Sequence, residues 1–173
     1  LGVFYGEITP RSFWITIKET SKNVSNLLVI LASAGFFAWV VMNTGLGMQL
    51  VDSILAVSTN KFAVLTMLVF FLLILGCLLD VIAMIFILVP VMYPLVAKVG
   101  IDPYHYSAVF VLTLGIALLT PPVGILLYIV SGMAEAPILK VIKELVPFLL
   151  VEVAVLILVT YVPALSTWLP SVF

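Results

Sequence analysis

Thr120-Pro121-Pro122-Val123-Gly124 interrupts a charge-free run that extends from Tyr106 to Ala134. A run of that length is enough to cross a bilayer, which takes roughly 20 apolar residues. Two successive prolines remove two backbone donors and clash with the turn before them, so no continuous helix passes through. In hydrocarbon, broken backbone survives only where it is buried in protein or faces a polar cavity. The upstream half-helix, Leu112 to Leu119, is left with carbonyls that Pro121 and Pro122 have no amide to satisfy. With the Thr120 hydroxyl, those carbonyls make a cluster of hard oxygens suited to Na+. The downstream half-helix opens near Val123 and Gly124, where free amides favour an anionic group. Discontinuous helices of this polarity build midplane sites in many secondary transporters. A Pro-kinked structural helix is the plainer alternative.

Composition places the break in a membrane. Of 173 residues, 65% are hydrophobic and 9% charged, and the mean hydropathy is +1.39. Soluble domains run at roughly 45–50% apolar and 25% charged, so the chain is expected to be an all-α integral membrane protein. The net charge of −1 says nothing about partners, and no basic patch suggests a nucleic acid. Cys77 is the only cysteine and His105 the only histidine. A disulfide framework, a cysteine metal site and a bis-histidine haem within the chain are therefore excluded, and nothing suggests an enzyme. Leu1 is not followed by a basic, apolar, small-residue leader. The chain is expected to be the C-terminal part of something longer.

Outward from the break, the chain divides into five stretches. Residues 1–23 are the most polar, and Thr9-Pro10 before Arg11-Ser12-Phe13-Trp14 predicts a turn into an amphipathic segment at the membrane surface. Residues 24–60 hold a first span, Val24 to Met42, ended by Asn43-Thr44-Gly45. A short interfacial helix follows, with Gln49 and Asp52 on its wet face. Residues 62–97 are two apolar helices around Gly76-Cys77-Leu78-Leu79-Asp80, with Pro90 and Pro94 in the second. Residues 104–133 are the broken helix. Residues 138–173 hold a short connector, a last span from Pro147 to Tyr161, and an interfacial end at Trp168-Leu169-Pro170.

Lysine and arginine give the orientation, because cytoplasmic loops carry the excess. Arg11, Lys18 and Lys22 precede the first span, and Lys140 and Lys143 precede the last. With the N-terminal stretch cytoplasmic, the pair at 62–97 starts and ends outside. Its inner turn carries no positive anchor and is too apolar for water, which favours a hairpin that dips in and returns. Two full spans remain the alternative.

Asp80 is the sharpest single candidate for function. A carboxylate at mid-membrane costs several kcal/mol unless paired or solvated, so a bound cation is one partner for it. An aspartate capping the helix from Val81 onward is the other account, and the two are compatible. Glu152, inside the last span, is either an ion or proton relay or a protonated, hydrogen-bonded carboxyl. His105, beside Asp102-Pro103-Tyr104, is expected to be a surface histidine.

In this order and spacing, several motifs resemble the large membrane (M) subunit of the tripartite ATP-independent periplasmic (TRAP) transporters. They are Gly6-Glu7-Ile8-Thr9-Pro10 with Phe13-Trp14, Gly76 to Asp80 with Pro90 and Pro94, and Gly100-Ile101-Asp102-Pro103. Gly115 with Thr120 to Gly124, Ser131-Gly132, Pro147-Phe148 and Trp168-Leu169-Pro170 complete the set.

The resemblance covers essentially the whole chain as that subunit's second half. It implies an ion-transporter-type inverted-repeat fold, here the second repeat only, with a re-entrant hairpin (62–97) and a discontinuous helix (104–133). It implies sodium-coupled, elevator-type uptake of organic acids such as C4-dicarboxylates or sialic acid, in a bacterial inner membrane. The implied partners are a small membrane (Q) subunit and a soluble periplasmic substrate-binding (P) subunit. Na+ would be held by Gly76, Asp80, Gly115, Thr120, Pro121 and Pro122, and the solute by Thr120, Val123 and Gly124. With the first repeat absent, only half a site is expected. A different sodium-coupled transporter of the same plan and a non-transporting membrane anchor are the alternatives.

Overall fold

The computed structural model describes residues 9–121 and 124–172, which are helical and joined by short turns, with no strand among the described residues. Helix α1 (Pro10–Asn43) starts at a capping box. The Ser12 amide donates to Thr9 Oγ1 at 3.2 Å, and the Thr9 amide donates to Ser12 Oγ at 3.0 Å. Pro10 takes the first helical position, where no amide is needed.

The sequence divides this region after Asn23, yet α1 runs through without a break. No glycine or proline stands near the junction, and the Ser25 hydroxyl donates to the Ser21 carbonyl at 2.7 Å. The polar side chain is thus satisfied by the helix itself. Its 34 residues give a rod of about 51 Å at 1.5 Å per residue, against roughly 30 Å of hydrocarbon. The end carrying Arg11, Lys18, Glu19 and Lys22 therefore has room to stand outside the apolar layer.

Gly45, at φ 75°, turns the chain from α1 into α2 (Leu46–Val57), a conformation that glycine adopts without strain. Helix α2 lies against α4 (Val81–Val99). Gly47 is buried there, and its Cβ position is 3.6 Å from Val91 Cγ1. On the wet side, Lys98 reaches Asp52 at 3.4 Å, an exposed pair of little energetic weight.

Helix α3 (Lys61–Gly76) is capped by the Asn60 side chain, which accepts from the Phe62 and Ala63 amides. Asp102 does the same for α5 (Pro103–Leu119), accepting from Tyr104 at 2.8 Å and His105 at 3.1 Å. Along α3, Val64, Leu65, Leu68, Leu72 and Gly76 recur at helical spacing on the buried side. Helix α4 answers with Met84, Leu88, Val91, Met92 and Leu95.

Among the described residues, two helices, Arg11–Asn43 and Val81–Val99, are long and apolar enough to cross a membrane. Outward faces are apolar too: Phe148 is 71% exposed and Phe70 62%. Lipid tails are as apolar as leucine, so close packing, rather than escape from water, holds such helices together.

Helix α4 stays helical through Pro90 and Pro94. Helix α3 packs mainly on α5, and α4 mainly on α1, so the two arms lean on different neighbours. After the break, α6 (Ile125–Met133) leads into α7 (Ile138–Tyr161), which runs back along α5 and α6. Pro147, expected at the start of the last span, lies inside α7. The hydrogen bond it forgoes, to the Lys143 carbonyl, falls at the exposed end of the helix. A single turn, α8 (Ala164–Thr167), closes the described chain.

The starts of α3 and α5, the end of α4 and the α7–α8 turn gather at one end of the bundle. Lys61, Gly100, Asp102, His105 and Pro163 line one small cavity there. His105 is not the surface residue expected, being only 2% exposed. The segment leading into α8 folds over it, and its Nδ1 lies 2.8 Å from Ser166 Oγ.

Candidate functional site

At the far end of α3 and α5 the hairpin tip meets the helix break. Helix α3 stops at Gly76, with Cys77 as its C-cap. The Leu79 amide still donates to the Leu75 carbonyl at 2.8 Å, so the tip is a tight hydrogen-bonded turn. Asp80 then starts α4: its Oδ1 accepts from the Ile82 amide at 2.9 Å and the Ala83 amide at 3.4 Å. The capping account of Asp80 is thus realised, on an exposed residue.

Gly76 is buried against Ala117, which is 0% exposed. A Cβ on Gly76 would stand 2.6 Å from the Ala117 Cβ and 3.4 Å from Met84 Sδ. No real side chain fits at 2.6 Å, so glycine at 76 is a packing requirement. The end of α3, the first turn of α4 and the last turn of α5 therefore converge on one point.

Ala117 lies one turn before the break. Thr120 leaves the helix at φ −98°, ψ 129°, as a residue preceding proline is driven to do. Its hydroxyl donates to the Ile116 carbonyl at 2.7 Å and its amide to the Ala117 carbonyl at 3.2 Å. Pro121 and Pro122 carry no amide for Ala117 or Leu118, so the last turn of α5 keeps acceptor capacity that no helical amide fills. Pro122 and Val123 lie outside the described residues.

Gly124 sets the far side of the break. It takes φ 44°, ψ 65° as the N-cap of α6, and its carbonyl accepts from the Leu127 amide at 2.8 Å. A Cβ there would lie 2.8 Å from Leu127 Cδ1 and 3.2 Å from the Thr120 carbonyl oxygen. The two half-helices thus return to within contact of each other at Thr120 and Gly124. The start of α6 brings backbone donors, and the end of α5 brings acceptors, to the same place.

Gly115 does not join this contact. Its Cβ position has nothing within 4 Å, because two residues along a helix turn the side chain by about 200° from Ala117. Ala117 and Met84, on the other hand, were not singled out from the sequence. The available signal was the small residue Ala117 in a run of leucines, opposite the only glycine of α3.

A family model for the tripartite ATP-independent periplasmic transporter, DctM component, matches residues 1–165. The chain belongs to the DctM family of TRAP transporters. Relatives agree along almost its whole length. An isethionate TRAP transporter permease protein, DctMQ, of Oleidesulfovibrio alaskensis is 33% identical over 95% of this chain and 27% of its own length. The sialic acid TRAP transporter large permease protein SiaM of Vibrio cholerae is 32% identical over 99% of this chain and 40% of its own. The C4-dicarboxylate TRAP transporter large permease protein DctM of the same organism is 31% identical over 90% and 34%. The chain therefore spans no more than 40% of the length of these three relatives. Each of them is named as a TRAP transporter permease, and the two candidate membrane spans of this chain accord with an integral membrane protein.

Proposed function

We propose that this chain is half of the solute path of a TRAP permease. In this reading, the hairpin tip and the helix break jointly hold Na+ and one end of an organic anion. The observation that carries it is the packing of Gly76 on Ala117 beside the Thr120 break. That contact brings the C-terminal ends of α3 and α5 together, and helix C-terminal ends carry carbonyls without helical partners. Na+ sits among oxygens contributed by Gly76, Thr120, Pro121 and Pro122, with Asp80 fixing the tip and supplying negative charge. Thr120, Val123 and the amides that open α6 take the solute's carboxylate or sulfonate.

The length of α3 favours a re-entrant hairpin, whereas α4, the other arm, is long enough to cross a membrane. Helix α3, with 16 residues, rises about 24 Å, and α5, with 17, about 26 Å. Both start at the same end of the bundle, so the tip reaches the depth of the break and no further. Helix α7, with 24 residues, rises about 36 Å alongside them. A tip that stops partway is what an elevator-type carrier needs in order to open the site from one side. The rest of a full-length permease supplies the first repeat and the other half of the site. The small Q subunit, the periplasmic P subunit and the inner membrane complete the system. The solute is an organic anion of the kind for which the relatives are named.

Uptake by the complete permease in proteoliposomes tests this reading. Thr120→Ala and Asp80→Asn are each expected to raise the Na+ concentration for half-maximal uptake several-fold. Unchanged sodium dependence in both would overturn the ion site.

A further inference from the structure

Glu152 takes no part in the site at the tip and the break, yet it stands deep in the membrane. It lies about 21 Å from the start of α7 and about 14 Å from its end, well inside roughly 30 Å of hydrocarbon. Val153, next to it, borders the same cavity as Leu73 of α3, and Leu73 comes three residues before Gly76. The carboxyl is therefore at nearly the depth of the hairpin tip. It is half-buried. An ionisable group at that depth is costly unless it is paired.

Among the described residues the carboxyl forms neither a hydrogen bond nor an ion pair; the one ion pair joins Lys98 to Asp52. Lys140 and Lys143 are on α7 itself, but about 18 Å and 14 Å nearer its start. Lys61 begins α3 at the opposite end, where Tyr161 at the close of α7 stacks on Phe62. Arg11, Lys18 and Lys22 lie on the polar end of α1. The hydroxyls of Thr113, Ser131 and Thr160 donate to the Val109, Ala136 and Leu156 carbonyls, and a hydroxyl has one proton to give.

The surface beside Glu152 is open and apolar. Phe148, Val151 and Val155 are exposed along one face of α7, and Glu152 is at its edge, about 40° around the helix from Phe148. Toward the start of α7, Val130 of α6 and Val141, Leu145 and Phe148 of α7 border an open cleft of about 340 Å³. A helix is about 10–12 Å across, too thick to enter that cleft, but the ridge of side chains along one helix fits such a groove. Lipid tails would fill the cleft and offer nothing to the carboxyl. Only a protein segment supplies both an apolar ridge and a positive charge, and the relatives extend well beyond the stretch that this chain matches. We propose that a transmembrane helix from the rest of the permease lies on this face of α7, with apolar side chains in the cleft and a lysine or arginine paired with Glu152. The pair fixes the depth at which that helix sits against α7, close to the level of the tip. This contact requires that the chain be part of a larger permease, and it does not require the sodium site.

Photo-cross-linking and thermal unfolding of the complete permease test the proposal. With Phe148 replaced by photoreactive benzoylphenylalanine and the native membrane illuminated, the expected adduct is with a peptide of the same permease outside these 173 residues, from an apolar segment that carries a lysine or arginine. Glu152→Gln and Glu152→Leu are each expected to lower the unfolding temperature by several degrees, because either leaves a buried basic partner without its counter-charge. Replacing that lysine or arginine by a neutral residue in the Glu152→Gln background should recover most of the loss. No adduct with the rest of the permease, or adducts only with lipid, the small subunit or a second copy of this stretch, would overturn the proposal. So would a Glu152→Leu variant that unfolds at or above the native temperature, since removal improves a carboxyl that faces lipid alone. Should the Glu152 variants fail to fold, the cross-link decides by itself, with Glu152 intact. Neither readout involves sodium or uptake, so failure here and failure of the ion site are separate results.

Discussion

Gly76 and Ala117 approach so closely that a methyl group on the glycine would stand 2.6 Å from the alanine Cβ. One residue ends the first arm of the hairpin, and the other lies one turn before the break in α5. Their contact makes the tip and the break a single structural unit. A double-mutant cycle measures it. Gly76→Ala is expected to destabilise the permease by about 1–3 kcal/mol, the usual cost of overpacking, and to impair uptake. Ala117→Gly added to it should restore most of both losses. Losses that simply add, with no recovery, would show that the two residues are not in contact.

Asp80 separates capping from charge. Asparagine caps a helix about as well as aspartate, whereas alanine costs about 1 kcal/mol. Thermal unfolding of the purified permease should therefore be unchanged by Asp80→Asn and lowered by Asp80→Ala. An Asp80→Asn variant as unstable as the alanine one would mean that the carboxylate charge, not the cap, holds the tip.

Tyr106 carries a buried hydroxyl without a hydrogen-bond partner among the described residues. Its ring packs on Phe110, with centroids 5.7 Å apart, and phenylalanine would keep that contact. Tyr106→Phe is expected to be neutral or to stabilise by about 1 kcal/mol, since a desolvated, unpaired group is removed. A loss of more than about 1 kcal/mol in thermal or denaturant unfolding would indicate a partner for the hydroxyl elsewhere in the permease.

Glu135, between α6 and α7, has φ 49°. Side chains strain the left-handed region by about 1–2 kcal/mol, and glycine does not. The turn is otherwise tied by the Ser131 hydroxyl, which donates to the Ala136 carbonyl at 2.7 Å. Glu135→Gly should raise the unfolding temperature or leave it level, because the unfolded chain gains freedom as well. A clear fall would mean that the glutamate side chain makes a contact worth more than the strain.

The break at Thr120 and Pro121 was legible because proline chemistry is local: a missing amide is visible in the sequence itself. The caps at Asn60, Asp80 and Asp102 follow from equally local hydrogen bonding. The unbroken course of α1 past Asn23 was not, since a change in polarity marks where a helix leaves the membrane and not where it ends. Burial of His105 was hidden for another reason. It depends on Pro163 and Ser166, some 60 residues away, and no local pattern announces a chain end folding back. The pairing of Gly76 with Ala117 belongs to the same class: each small residue is visible alone, and only packing brings them together.

Cys77, beside Gly76 at the tip, gives the most direct measure of the Na+ site. In a complete permease whose other cysteines are replaced, its rate of alkylation by a small thiol reagent reports access to the tip. Na+ occupying the space between tip and break is expected to slow that rate several-fold relative to K+ at equal ionic strength, and Thr120→Ala should abolish the difference. Equal rates in Na+ and K+ would contradict a sodium site formed by the hairpin tip and the broken helix.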